Sequence, residues 1–194
     1  AGLVAFPLDM YRHPHRAWGR DVRRLSAALR AASPETQIWA ADCHVGGVDY
    51  VPVDAQALLA QQPDLLGYVR GESEQALAQL WAGAPPTEVA GAITRGRAAD
   101  TGYGEQLTDL DPLPAPAWHL VDVPRFFQVQ RHLIRHDFLH EVHAEHSVLP
   151  AQTSRGCPYR CSFCASLRGQ AHRAWSPEVL AQHLRFYREL GAST

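Results

Sequence analysis

The chain of 194 residues contains no lysine, so all 18 of its basic residues are arginines. Together with the many alanines, this absence is typical of a GC-rich coding sequence and indicates no function. No apolar run is long enough to cross a membrane, and the first residues lack the basic start of a signal peptide. With a formal net charge of -2, the chain has no general attraction to nucleic acid or anionic membrane. Because it lacks a secretory signal and its cysteines are clustered, we expect a cytoplasmic protein.

Cysteine is also scarce, and its distribution is uneven. Of four cysteines, three lie within eight residues, and Cys43 stands alone. Clustered cysteines in a chain without a secretory signal favour metal binding over disulfide bonds. The sequence has no initiator methionine and stops directly after a helical pattern, so we expect a fragment of a longer protein.

The first half of the sequence alternates between strand-like and helical patterns. Strand-like segments occupy residues 2–8, 37–43, 65–70 and 89–94, and helical segments occupy residues 16–32, 54–62 and 73–81. Asp54 and Ser73 stand where side chains cap helices. Alternating strands and helices indicate a parallel sheet with crossover helices. We therefore predict an α/β fold, with part of a doubly wound, Rossmann-like domain at residues 1–99.

A different pattern begins near residue 100. Residues 100–146 form a proline-rich connector followed by a histidine-rich segment. Residues 147–194 begin with a strand-like stretch at 147–153, continue through the cysteines, and end in a helical pattern. Ser176 would cap that helix, Pro177 would be its first residue, and Gly191 lies just past its end. The order predicts a single β-loop-α unit.

The cysteine spacing, Cys157-x3-Cys161-x2-Cys164, is suited to an iron-sulfur cluster. Thiolates are the usual ligands of such clusters, and four are normal. Three thiolates in one loop would hold a [4Fe-4S] cluster and leave one iron open for chemistry. Two alternatives remain open: a zinc site to which His172 contributes, and an electron-transfer cluster completed by a distant residue.

The string from Thr153 to Cys164, Thr-Ser-Arg-Gly-Cys-Pro-Tyr-Arg-Cys-Ser-Phe-Cys, closely resembles the signature of radical S-adenosylmethionine (SAM) proteins with an N-terminal cobalamin-binding-type domain. The resemblance implies that Cys157, Cys161 and Cys164 ligate the cluster and that its open iron binds SAM. An electron from the cluster would cleave SAM to a 5'-deoxyadenosyl radical. Phe163 would lie near the adenine, although it is equally suited to be a core aromatic residue.

The same resemblance implies the later part of the reaction only in outline. The radical would start methyl transfer or another modification of an unknown substrate. A flavodoxin or ferredoxin would supply the electron. We expect no nucleic-acid or membrane partner. Residues 147–194 would then be the truncated start of the radical SAM barrel.

The resemblance extends upstream of the cysteines. Gly71-Glu72-Ser73-Glu74 is similar to a turn of the cobalamin-type domain, and residues 111–116 are similar to the connector that precedes the barrel. Asp42-Cys43-His44-Val45-Gly46-Gly47 fits Asp-x-His-x-x-Gly, in which the histidine binds cobalt. His44 is therefore a candidate cobalamin ligand.

The position of this motif weakens the cobalamin interpretation. It follows a later strand than in relatives, and Ala41 and Asp42 replace two glycines that give the cofactor room. His44 is equally suited to be a polar loop residue. The sequence leaves cobalamin binding open.

Two other functions are possible for the cysteine motif. A methylthiotransferase-like radical SAM enzyme would carry three more cysteines in its N-terminal domain, where this chain has only Cys43. A non-enzymatic iron-sulfur or zinc-binding module would not bind SAM.

Four histidines at spacings of four, four and three would line one face of a helix. This face could be solvated, or it could chelate a metal. The residues are His132, His136, His140 and His143.

Overall fold

A computed structural model describes residues 2–8, 14–42, 54–96, 102–134, 147–159, 161–162 and 171–193. The chain forms two compact units. The first contains Ala1–Thr108 together with Gly156–His172, and the second contains Asp109–Arg155 together with Arg173–Thr194. Among the residues described, no helix combines the length and the apolar character needed to cross a membrane.

Among the described residues, the first unit holds a four-stranded sheet and three helices, which together we call the sheet lobe. Its elements are β1 (Leu3–Leu8), α1 (Pro14–Ala32), β2 (Gln37–Asp42), α2 (Ala55–Gln61), β3 (Gly67–Val69), α3 (Glu74–Trp81) and β4 (Ala92–Thr94). The strands lie side by side in chain order, with β1, β2 and β3 parallel. The predicted α/β class is thus confirmed, with helices crossing between the parallel strands.

Alternate residues of β2 serve opposite faces of the sheet. Ile38 and Ala40 pack in a core with residues of α1 and α2, whereas Trp39 and Ala41 pack in a core with residues of α3. Successive strand residues point to opposite faces, so a strand covered on both sides is apolar throughout. Five of the six β2 residues are accordingly buried, and the lobe has helices on both faces of its sheet.

The fourth strand departs from the prediction of a parallel sheet, because β4 pairs antiparallel with β3. The cause lies in residues 82–91, which carry the chain back past the end of β3. Arg70, the residue after β3, donates its backbone N–H to the carbonyl of Gly91 at 2.9 Å. Since Gly91 directly precedes β4, the chain enters β4 beside the carboxyl end of β3 and runs the opposite way.

Gly67 allows the close packing at the centre of the sheet. A Cβ atom at this position would lie 2.3 Å from the Trp39 ring and 2.6 Å from the carbonyl oxygen of Ile93. The indole of Trp39, which is 1% exposed, therefore occupies the space that any other residue at position 67 would need.

Of the two N-caps predicted in the lobe, the structure has the one before α2 and lacks the one before α3. Asp54 accepts the backbone N–H of Ala57 at 3.0 Å, as predicted for an N-cap. Ser73 stands at the N-cap position of α3 but makes no side-chain cap. Its hydroxyl instead donates to the backbone oxygen of Asp42 at 3.3 Å, so the predicted capping role of Ser73 is wrong.

The second unit consists mainly of two helices with short strands. After a 3-10 turn at Trp118–Leu120 come α4 (Val123–Ile134), β5 (Ser154–Arg155), β6 (Arg173–Ala174) and α5 (Pro177–Glu189). Its core contains Val123, Phe127, Leu149 and Tyr187. Helix α4 begins where the connector was predicted to continue, and the Asp122 carboxylate accepts the N–H of Arg125 in its first turn.

The strand predicted at residues 147–153 is not formed. The side-chain amide of Gln130 in α4 accepts from the N–H of Val148 at 3.0 Å and donates to its carbonyl at 3.1 Å. These two bonds satisfy the backbone groups that a neighbouring strand would otherwise pair. The stretch is therefore bonded to α4 at Val148, and strand pairing begins at β5.

Helix α5 follows its sequence signals closely. The Ser176 hydroxyl accepts the N–H of Val179 at 3.3 Å, and Pro177 opens the helix. Gly191, just past the end, has a φ of 93°, the left-handed conformation that glycine adopts most easily. The predicted cap, first residue and terminator are all confirmed.

Candidate metal centre

The predicted cluster ligands belong to the segment Gly156–His172, which we call the cysteine loop. It starts directly after β5 and ends directly before β6. These strands pair antiparallel, with Ser154 opposite Ala174 and Arg155 opposite Arg173. Because opposed residues of such a pair lie about 5 Å apart, the two ends of the loop leave the strands side by side. The loop therefore lies between two short strands, whereas a strand and a helix were predicted to flank it.

Two of the three predicted ligands fall in the described part of the loop. Cys157 is half-buried, Cys161 is exposed, and both are free cysteines. Gly156 has a φ of 82°, which turns the backbone immediately before Cys157. Cys164 and Phe163 lie outside the described residues. Two accessible thiols four residues apart fit the donor chemistry of a metal or cluster site, whereas purely structural cysteines are usually deeply buried.

No group of three potential metal ligands is brought together within the described ranges. The third predicted ligand, Cys164, does not belong to those ranges. His172 is exposed at the far end of the cysteine loop. Of the histidine-rich stretch, His132 lies in α4, and its other members lie outside the described residues.

A buried arginine, Arg155, is the last residue of β5 and directly precedes the cysteine loop in the sequence. The guanidinium of Arg155 lies 5.6 Å from the centre of the Trp175 ring and donates to the side-chain oxygen of Gln152 at 3.3 Å. The backbone N–H of Trp175 also donates to the backbone carbonyl of Thr153. A cation on an aromatic face contributes about 0.5–2 kcal/mol, depending on how far it is desolvated.

The Arg155–Trp175 contact was not predicted from the sequence. Both residues are more than nine-tenths buried. The two side chains lie twenty positions apart in the sequence, so no local pattern links them. The sequence offered one sign of the contact: the two residues lie close to the two ends of the cysteine loop.

The loop predicted to contact cobalamin begins at Asp42, at the end of β2. His44 and Cys43 lie outside the described residues. The Asp42 carboxylate is buried, accepts the hydroxyl of Tyr68 on one oxygen, and accepts the N–H of Gly71 on the other at 2.7 Å. A side chain thus fills the end of β2 where the cobalamin-type family has glycine, and it holds the turn after β3. The described residues at this position do not fit the glycine-lined site that cobalamin requires.

Comparison with known proteins adds no family assignment: no protein-family model matches the chain, and neither a curated protein nor a solved structure matches it.

Proposed function

We propose that this chain belongs to a radical SAM enzyme in which Cys157, Cys161 and Cys164 hold a [4Fe-4S] cluster. The spacing of these cysteines in one loop carries the proposal. Two structural facts support it: the free thiols of Cys157 and Cys161 are accessible, and Gly156 turns the backbone in front of the first ligand.

The proposed roles of the residues follow from their chemistry. Three thiolates bind three irons, so one iron of the bound cluster stays open for the amino and carboxylate groups of SAM. When bound, the cluster supplies the electron for reductive cleavage of SAM to a 5'-deoxyadenosyl radical. Phe163 is assigned to the adenine of SAM. A flavodoxin or ferredoxin is the proposed electron donor, and the substrate class remains unassigned.

The proposed enzyme family also implies a particular fold for each part of the chain. Three parallel strands with helices on both faces are compatible with part of a doubly wound, Rossmann-like domain of the cobalamin-binding type. Helix α5, which follows the cysteine loop and β6, would be the first helix of a radical SAM (β/α) barrel. Residues 100–146 would then connect the two parts.

The central test is anaerobic cluster reconstitution of the chain. We expect the wild-type chain to take up the iron and sulfide of one cluster and to show its visible absorption. The triple variant Cys157→Ala/Cys161→Ala/Cys164→Ala should lose both. Cys43→Ala, which removes the cysteine outside the loop, is the matched control and should keep both. Full iron and sulfide in the triple variant would refute the cluster assignment.

SAM distinguishes the proposed enzyme from an electron carrier. If one iron is open, SAM should change the electron paramagnetic resonance spectrum of the reduced cluster, because its amino and carboxylate groups become iron ligands. A fully ligated cluster should give the same spectrum with and without SAM. An unchanged spectrum on a fully loaded chain would therefore favour the non-enzymatic alternative.

A zinc site is the second candidate, because His172 is exposed at the end of the same loop. In that case, His172→Ala should lower the zinc retained by the purified chain. A [4Fe-4S] cluster held by the three cysteines should be indifferent to this substitution. Metal analysis of wild type and His172→Ala after reconstitution with iron and with zinc separates the two sites.

A further inference from the structure

A segment of the connector crosses the end of the sheet in the first unit. We call residues 102–107 the strap. The N–H of Gly104 donates to the carbonyl of Arg70 at 2.8 Å, and the N–H of Leu107 donates to the Glu72 carboxylate at 3.3 Å. Arg70 directly follows β3, and Glu72 lies two residues further along the chain. The strap is therefore hydrogen-bonded to the carboxyl edge of the sheet.

Glycines bring the backbones of this edge into direct contact. A Cβ atom on Gly104 would lie 2.5 Å from the carbonyl oxygen of Glu72. A Cβ atom on Gly91 would lie 2.5 Å from the backbone nitrogen of Gly104 and 2.6 Å from the carbonyl oxygen of Arg70. Three chain segments thus meet at distances that exclude even a methyl group, so no ligand atom fits between them.

Side chains extend this contact on both sides of the glycines. The Tyr103 ring lies 5.7 Å from the Arg70 guanidinium, and its atoms lie 3.4 Å from where a Cβ on Gly71 would be. Toward β2, the buried Asp42 carboxylate bridges Tyr68 and the N–H of Gly71. Among the described residues, the chain's own atoms therefore occupy this edge from the end of β2 to the start of β4.

We infer that the strap and Asp42 take the place of a cofactor at this edge and that the sheet lobe does not bind cobalamin. Ligands of parallel α/β sheets bind outside the carboxyl ends of the strands, and glycines there allow close approach of the ligand. Here the glycines allow close approach of the chain's own backbone. The lobe then serves to hold the connector, and this inference is independent of whether the cysteine loop binds a cluster.

The first test is equilibrium dialysis of the wild-type chain against hydroxocobalamin. We expect equal cobalamin on both sides of the membrane, whether or not the same preparation binds iron. Retention of one equivalent by the wild-type chain would overturn the inference, because a filled edge leaves no site for the cofactor. Iron analysis of the same samples keeps this result separate from the cluster proposal.

The second test measures whether the strap is formed in solution, by amide hydrogen exchange. In the wild type, the amides of Gly104 and Leu107 should be protected. Gly104→Ala should increase their exchange on the order of tenfold or more, because its Cβ meets backbone. Gly2→Ala is the matched control, since its Cβ would meet only the Thr36 hydroxyl at 3.8 Å.

Two outcomes of the exchange experiment would overturn the inference. One is rapid exchange of residues 104 and 107 in a folded wild-type chain, and the other is unchanged protection in Gly104→Ala. Exchange of the β2 amides reports whether the variant is folded. Should Gly104→Ala fail to fold, Tyr103→Ala loosens the same strap without a clash and should accelerate exchange at residue 104.

Discussion

The sheet lobe and the cysteine loop are built in opposite ways. In the lobe, Ile38, Ala40 and Tyr68 are fully buried, and the helices cover both faces of the sheet. In the described part of the loop, Cys161 is exposed and Tyr159 is 71% exposed. Burial of apolar surface is the main stabilising term in folding. We therefore expect substitutions in the lobe to change the free energy of unfolding, and substitutions of the cysteines to change metal binding.

The largest effect on stability is expected for Gly67→Ala. Its Cβ would lie within 3 Å of both the Trp39 ring and a backbone oxygen of β4, and neither can move without disturbing the core. Overpacking of this kind costs about 3 kcal/mol of unfolding free energy. Urea denaturation followed by circular dichroism measures the change. Gly2→Ala should stay within about 0.5 kcal/mol of the wild type, and equal stability of the two variants would contradict the packing described for β3.

A smaller loss is expected for Asp42→Ala at the end of β2. The substitution leaves the Tyr68 hydroxyl and the Gly71 N–H without their carboxylate acceptor. A buried donor without an acceptor costs about 1 kcal/mol or more, so the expected total is about 2 kcal/mol. Tyr68→Phe removes one donor and should cost less. In a double-mutant cycle, adding Tyr68→Phe to Asp42→Ala should cost little more than Asp42→Ala alone. Strictly additive losses would show that the two side chains are not coupled.

Local sequence patterns predicted the elements of the lobe but not how they meet. The periodicity of apolar residues located α1 and α3, an apolar stretch located β2, and Ser176, Pro177 and Gly191 specified the two ends of α5. The direction of β4 could not be read from its three residues. It is set by where the chain enters β4, and there Arg70 bonds Gly91 across a separation of α3 and a long turn.

The same limit applies to the candidate site. The cysteine spacing is local, so the sequence alone predicts Cys157, Cys161 and Cys164 as ligands. The Arg155–Trp175 contact and the strap join residues that are distant along the chain, so no local pattern revealed them. Residues 147–153 were predicted to form a strand, but the Gln130 side chain makes both backbone hydrogen bonds of Val148 that a partner strand could make.

The smallest stability change is expected at a helix cap, where Ser176 of the second unit can be compared with Ser73 of the first. Ser176 has an extended backbone, with ψ of 151°, so its hydroxyl reaches the N–H of Val179 and caps α5. Ser73 occupies the same position before α3, but its ψ of -10° is helical, and its side chain makes no cap. Loss of a serine cap costs about 1 kcal/mol. Ser176→Ala should therefore lower the stability of the second unit by that amount, measured by urea-dependent hydrogen exchange of the α5 amides.

Ser73→Ala is the matched control, because it makes the same chemical change at an N-cap position that is not capped. It removes only the 3.3 Å hydrogen bond to the Asp42 carbonyl and should cost no more than about 0.5 kcal/mol. Since Ser176 and the cysteines act on different properties, Ser176→Ala should also leave the reconstituted iron content unchanged. If it removed the iron together with the cap, the metal site would depend on α5, and the contrast between a stabilising framework and an independent cysteine loop would fail.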